Sequence, residues 1–306
     1  MTATPRRLHS EPEPYRPITY LEANAAHAAD HAAIIARGHV SSFAELLAWV
    51  HELMGLLGAR VKAGEVVAVA LPNVATYVAL EIAIPAIGAV IMPLAPALGA
   101  REISSALRES GAVLVVTTSL QGVVAQAAME SPGVRETLTL PLAAEPRMGD
   151  GRPEAVPTRP DDVVQIALTS GSTGMPKLAA YTAELKQLTF EGFTSRLNVD
   201  RGDRVLPLSP ITQGAGEMVL YCLRRGASLV MLEDPRFRAQ DALTLAEEAR
   251  ATVLGGVPTM VSRMLDCPVV DEIDFSALRL TAVAGAPLPP KLAVAWEEKT
   301  RAPIVS

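Results

Sequence analysis

Residues 66–71 read Val-Val-Ala-Val-Ala-Leu, an unbroken apolar run of strand length. A strand with one face in water alternates apolar and polar side chains, so a run without alternation must be covered on both faces. Comparable short runs follow at Ala89–Met92, Ala112–Thr117, Val163–Leu168, Arg204–Leu208, Ser228–Leu232, Thr252–Gly255 and Leu280–Ala284. Most of the intervals between them carry helical periodicity. Short buried strands that alternate with helices pair in parallel and take helices on both sides. The expected fold class is therefore α/β.

Individual helix boundaries can be read from capping chemistry. Ser42 followed by Glu45 forms a capping-box pattern ahead of Phe43, Leu46, Leu47, Val50, Leu53, Met54 and Leu57, which recur at helical spacing. Asn73, after Pro72, is expected to cap a helix through Ile84. Further helices are expected at Ala100–Ser110, Thr182–Leu197, Glu217–Leu223, Ala239–Arg250, Thr259–Leu265 and Pro289–Lys299. The stretch Pro141–Asp162 is dense in proline, glycine and charge and reads as a connection. The expected organisation is a flexible tail over 1–17, a first α/β subdomain over 18–140, the connection over 141–162, and a second α/β subdomain over 163–306. The apolar run at Ile304-Val305 reads as the start of a strand, so the second subdomain is expected to be incomplete at its C-terminal end.

Composition narrows the function classes. With 306 residues and 49% hydrophobic content, the chain can bury two cores. A formal charge of −6 without a basic run argues against nucleic-acid binding, which depends on neutralising phosphates. Cys222 and Cys267 are far apart, so a disulfide framework is not expected and a reducing cytoplasm is the default. Residues 82–100 are uncharged, but Pro85, Gly88, Pro93, Pro96 and Gly99 break them into the end of a helix, a turn at Gly88 and a buried strand rather than a membrane span. His27 and His31 are four apart on an expected helix but have no third ligand nearby, so no metal site is assigned. Cys222 has no histidine partner and reads as packing.

The chemistry concentrates in Thr169-Ser170-Gly171-Ser172-Thr173-Gly174-Met175-Pro176-Lys177. Glycines let successive backbone N–H groups face an anion, hydroxyls add rotatable donors, and the lysine adds a positive charge. Such a loop suits a polyphosphate. It is not a Walker A loop, which requires glycine where Pro176 stands and Ser or Thr where Leu178 stands. Nor is it a nucleophile elbow, because all five histidines lie within the first 51 residues and none follows Ser172.

The nine residues match, at every position, the phosphate-binding motif of the adenylate-forming superfamily, and the chain resembles that family: acyl-CoA synthetases, aryl-acid ligases, peptide-synthetase adenylation domains and luciferases. The likeness extends to residues 64–73, to Pro210-x-x-Gln213-x-x-Gly216, to Gly255-Gly256-Val257-Pro258 and to Gly285-Ala286-Pro287-Leu288. It implies two doubly wound α/β subdomains with ATP at their junction, and ATP-dependent activation of an aryl or medium-chain carboxylic acid. Thioester formation with CoA would follow. Alternatives are loading of a phosphopantetheine carrier protein and a non-catalytic ATP-binding module. By the resemblance, Thr169, Ser170, Gly171, Ser172, Thr173, Gly174 and Lys177 hold the phosphates, and Gly285, Ala286 and Pro287 lie beside the adenine. Gln213, Gly214, Gly216, Gly256, Val257 and Pro258 line the acid pocket, with Gln213 in place of the family's usual histidine. Mg²⁺ is expected to accompany the phosphates, its glutamate ligand lying beyond Ser306 with the remaining catalytic residues.

Overall fold

The computed structural model describes residues 15–36, 38–118, 122–140, 153–169, 177–212, 215–234 and 236–306. The chain opens with α1 (Pro17–His27), the hairpin β1 (Ala32–Ala36) and β2 (His39–Ser42), and α2 (Phe43–Gly58). It continues through β3 (Val66–Ala70), α3 (Ala75–Ala86), β4 (Val90–Pro93), α4 (Ala100–Ser110), β5 (Leu114–Thr117), α5 (Gly122–Met129) and β6 (Glu136–Thr139). Then come β7 (Val163–Thr169), β8 (Lys177–Thr182), α6 (Ala183–Leu197), β9 (Arg204–Pro207), α7 (Ala215–Arg224) and β10 (Ser228–Val230). The last elements are α8 (Ala239–Glu248), β11 (Val253–Gly256), α9 (Pro258–Leu265), a 3₁₀ turn at Pro268–Asp271, β12 (Leu280–Val283), α10 (Pro290–Thr300) and β13 (Ile304–Val305).

Two sheets result, one ordered β6-β5-β3-β4-β7-β8 and the other β13-β12-β11-β9-β10-β1-β2. Pairing is parallel except where β7 meets β8 and β1 meets β2. All five residues of β3 are buried, as its unbroken apolar run requires. The capping box at Ser42 is present, with Ser42 accepting from the Glu45 N–H and Glu45 accepting from the Ser42 N–H. Gly88 takes φ +75° between α3 and β4, where the sequence places a turn. Among the described residues, no helix is long and apolar enough to cross a membrane.

The sheets do not divide where composition suggested. β7 and β8, from beyond residue 162, extend the first sheet, while β1 and β2 lie at the edge of the second. A boundary drawn from the Pro- and Gly-rich stretch could not reveal this, because strand partners are chosen by non-local packing. The expected tail also ends earlier than residue 17. Tyr15 is buried against Phe190, with ring centroids 5.6 Å apart, and Pro17 begins α1. His27 closes α1 while His31 lies beyond it, so the two do not share a helix face. No cluster of three metal-ligating side chains occurs among the described residues.

At the N-terminal edge of the second sheet, three strand entries are pinned by one carboxylate. Asp203, ahead of β9, accepts from Arg279 at 2.7 and 2.6 Å and from the Thr252 hydroxyl at 2.6 Å. Arg279 leads into β12 and Thr252 into β11. Active sites of open parallel sheets lie at the opposite edge, so this cluster is structural.

Candidate functional site

In each sheet the chain steps to one side and then returns past its starting strand. From β9 it moves to β10, then crosses back to β11 on the other flank. From β3 it moves to β4, then crosses back to β5. Where the direction reverses, no connection covers the gap at the strand C-termini, and ligands of such sheets bind there. The segments singled out in the sequence lie at or beside these edges. Residues 208–212 follow β9, Gly256-Val257-Pro258 end β11 and open α9, and Gly285-Ala286-Pro287 follow β12.

These segments are tied together through their backbones. The Leu208 N–H donates to the Gly255 carbonyl at 2.7 Å, and the Ala284 N–H donates to the Gly256 carbonyl at 3.0 Å. Gly285 takes φ +82°, a conformation that side chains with a Cβ rarely adopt, and turns the chain outward after β12. Gly285, Ala286 and Pro287 are exposed, whereas Pro258 is buried at the first turn of α9. Gly216 lies in the first turn of α7. Gln213 and Gly214 lie outside the described residues.

Gly255 lies directly against the tip of its neighbour Met218. A Cβ at this position would clash with both Sδ and Cε of Met218, a buried side chain of α7. A Cβ on Gly256 would press on Leu208 at 3.1 Å. Bare backbone thus lets α7 close on the end of β11. Gly255→Ala is expected to cost about 1 kcal/mol, because the flexible methionine tip can give way at part of the overpacking cost. The same change should cost less than half as much in a Met218→Ala background, as denaturant melts of the four proteins of the cycle would measure.

The polyphosphate-type loop is held at its base. Thr169 ends β7 and pairs with Lys177, the first residue of β8. The Thr169 hydroxyl donates to the Lys177 carbonyl at 3.3 Å, and both residues are exposed. Residues 170–176, which include Ser170, Gly171, Ser172, Thr173 and Gly174, lie outside the described residues. Lys177 is followed by an antiparallel strand, and α6 begins only after its cap at Thr182, whose side chain accepts from the Leu185 N–H. The loop therefore spans the two arms of a hairpin instead of leading into a helix N-terminus.

The two edges meet. β7 is parallel to β4, and β4 to β3, so Thr169 leaves the first sheet at the same edge as Leu71-Pro72-Asn73. The Asn73 side chain donates to the Leu232 carbonyl at 3.0 Å and accepts from the Ile211 N–H at 3.0 Å. Leu232 follows β10 and Ile211 follows β9. One amide thus joins the C-terminal edge of the first sheet to that of the second. Asn73 does not cap α3, as the sequence suggested; Val74 holds the cap position without a side-chain bond. Cys222 is fully buried, and burial pushes its thiol far above the ordinary range, so it is packing and not a nucleophile.

Open parallel sheets whose C-terminal edges are joined at Asn73, with glycine backbone at the end of β11 and the Thr169–Lys177 pair at the edge of the first sheet, form the candidate site. The sequence profile of AMP-binding enzymes matches residues 21–306, and the chain belongs to that family. It is 33% identical to the feruloyl-CoA synthase of an Amycolatopsis species over 271 residues, which is 86% of this chain and 53% of that protein. It is 30% identical over 247 residues to the phenyloxazoline synthase MbtB of a Mycobacterium species, 79% of this chain and 20% of that protein. Among solved structures, the inhibitor-bound N-terminal domain of FACL13 from Mycobacterium tuberculosis superposes with a TM-score of 0.86 at 25% identity, covering 95% of this chain and 74% of that one. The fold is thus that of the N-terminal domain of adenylate-forming enzymes. The chain spans about half the length of the feruloyl-CoA synthase it matches.

Proposed function

We propose that the protein carrying this chain activates an aryl or medium-chain carboxylic acid with ATP and passes the acyl group to CoA. The observation that carries this reading is the Thr169–Lys177 loop, complete in its motif residues and rooted at the edge that Asn73 joins to the second sheet. In the first step a carboxylate oxygen attacks the α-phosphorus, the bond to the β-phosphate oxygen breaks, and pyrophosphate leaves as the acyl-adenylate forms. Bringing an anion onto a polyanion requires positioning and charge neutralisation more than covalent help. In this reading the hydroxyls and N–H groups of residues 169–174 hold the β- and γ-phosphates, and Lys177 neutralises the departing pyrophosphate. Gly285, Ala286 and Pro287 flank the adenine. The acid lies against Gln213, Gly214, Gly216 and the Gly256-Val257-Pro258 turn, where an amide at 213 donates to a substrate oxygen without titrating near neutral pH.

The chain's exposed Lys177 and its open glycine-lined edge suit a nucleotide. Mg²⁺ would arrive with the phosphates and lower the charge that the carboxylate must approach. A second reading, transfer to a phosphopantetheine carrier instead of CoA, draws on the likeness to MbtB. We place the protein in the cytoplasm on its two widely spaced, unpaired cysteines.

The test is carboxylate-dependent exchange of labelled pyrophosphate into ATP by the whole protein, across aromatic and aliphatic acids. Exchange with at least one acid is expected. ATP binding without exchange across the panel would overturn the ligase reading. Competition between CoA and a carrier protein for the activated acyl group separates the two acceptors.

A further inference from the structure

We propose that Asn73 is a positioning residue for the acid-facing segment that follows β9. This inference rests on the acid-activating reading of the site and extends it to a residue of the other sheet. Asn73 is 4% exposed, and both ends of its amide are used across a large separation in sequence. Its oxygen takes the Ile211 N–H, two residues before Gln213, and its nitrogen gives a hydrogen bond to the Leu232 carbonyl.

The start of the segment is held by Leu208 on Gly255, and the Ile211 N–H is held by Asn73. Ile211 is buried, but the buried hydroxyl of Thr212, the next residue, has no hydrogen-bond partner among the described residues. Pro210 has no N–H to contribute. A buried N–H that loses its acceptor costs about 1–3 kcal/mol unless the backbone moves to find water. Loss of the Asn73 oxygen therefore shifts Ile211 and the described segment 208–212 that leads toward residue 213. The amide also registers the two sheets against each other, because Leu232 lies at the end of β10 while Asn73 lies just beyond β3. The acid side of the site is thus set by the first sheet, the same sheet that carries the phosphate loop. No apolar or charged residue of this size supplies a donor and an acceptor together.

The experiment compares wild type, Asn73→Leu and Asn73→Asp in the whole protein. The leucine variant keeps the shape and loses both bonds. The aspartate variant keeps an acceptor for Ile211 and sets an oxygen against the Leu232 carbonyl. In pyrophosphate exchange, Asn73→Leu is expected to raise the KM for the acid about tenfold or more while the KM for ATP stays within twofold. Deuterium uptake of residues 208–212 should quicken in Asn73→Leu more than in Asn73→Asp. A merely structural residue would lower the melting temperature and leave the acid KM and this ordering unchanged. If Asn73→Leu does not fold, the aspartate variant carries the test through a smaller rise in acid KM. Acid KM values within twofold of wild type in a folded variant, or unchanged uptake at 208–212 in both, would overturn the proposal. An inactive wild type would instead overturn the acid-activating reading and the acid role of Asn73 with it.

Discussion

Lys177→Ala is expected to lower carboxylate-dependent ATP–pyrophosphate exchange about 10²-fold while leaving the fold intact. The ammonium belongs to the first residue of β8, exposed at the mouth of the hairpin whose other arm ends at Thr169. Exposed side chains away from special backbone features usually change stability by no more than about 0.5 kcal/mol. Under the proposed function, that small structural effect is set against the loss of a fixed positive charge beside a leaving polyanion, where removal of one stabilising donor commonly costs about 10²–10³ in rate. Lys177→Arg should recover part of the activity, because it restores charge with a different reach. The measurement is exchange kinetics together with a thermal melt. Full exchange by a folded Lys177→Ala protein would mean that the hairpin does not hold the phosphates.

The α/β class was legible because buried parallel strands leave a signature that needs no partner information. β3 shows it as an unbroken apolar run, β9 and β12 fall within the runs read for them, and β11 runs one residue past its own, to Gly256. The strands that escaped notice are those the signature does not cover. β6 is half exposed, with the pattern Glu136-Thr137-Leu138-Thr139, and β8 begins with exposed Lys177. β1 and β2 form an edge hairpin that pairs with β10 from nearly two hundred residues away. Sheet membership was illegible for the same reason: composition marked a break near residue 150, but β7 finds its partner in β4 by packing.

At the candidate site, the loop was singled out by local chemistry, since donors crowded into nine positions are visible without a fold. Asn73 was visible too, but in the wrong role. An asparagine before a helix reads as a cap, and only the meeting of the two sheets shows its amide spent on Ile211 and Leu232. Met218 left no signal in the sequence beyond an apolar position on a helix. Its significance comes from Gly255, whose missing Cβ makes room for the methionine tip. Glycines at strand ends were therefore a better guide to the edge than the side chains that pack on them.

Arg279→Met is expected to destabilise the protein by about 2–3 kcal/mol near neutral pH, and the loss should shrink in acid. Removing one partner of a buried ion pair costs about 3–5 kcal/mol. The lower figure is appropriate because the Arg279 side chain is 39% exposed, so water screens it, and Asp203 keeps two other donors. Those donors are the Thr252 hydroxyl and the Asp200 N–H. Burial raises the Asp203 carboxyl, but hydrogen bonds from Arg279, Thr252 and the Asp200 backbone, with the Arg279 charge, outweigh it and hold the carboxyl below its ordinary range. A carboxyl depressed in the folded state contributes stability that is fully present above its unfolded value near 4 and is lost as pH falls through the folded value. In the variant, burial acts with less opposition, the folded carboxyl rises, and protonation relieves the strain at a higher pH. Urea midpoints at constant slope should therefore show the full gap between pH 7 and about 5, and a closing gap below about 4. A gap that stays constant down to pH 3 would assign the loss to packing of the arginine stem across the strand entries and not to its bond with Asp203.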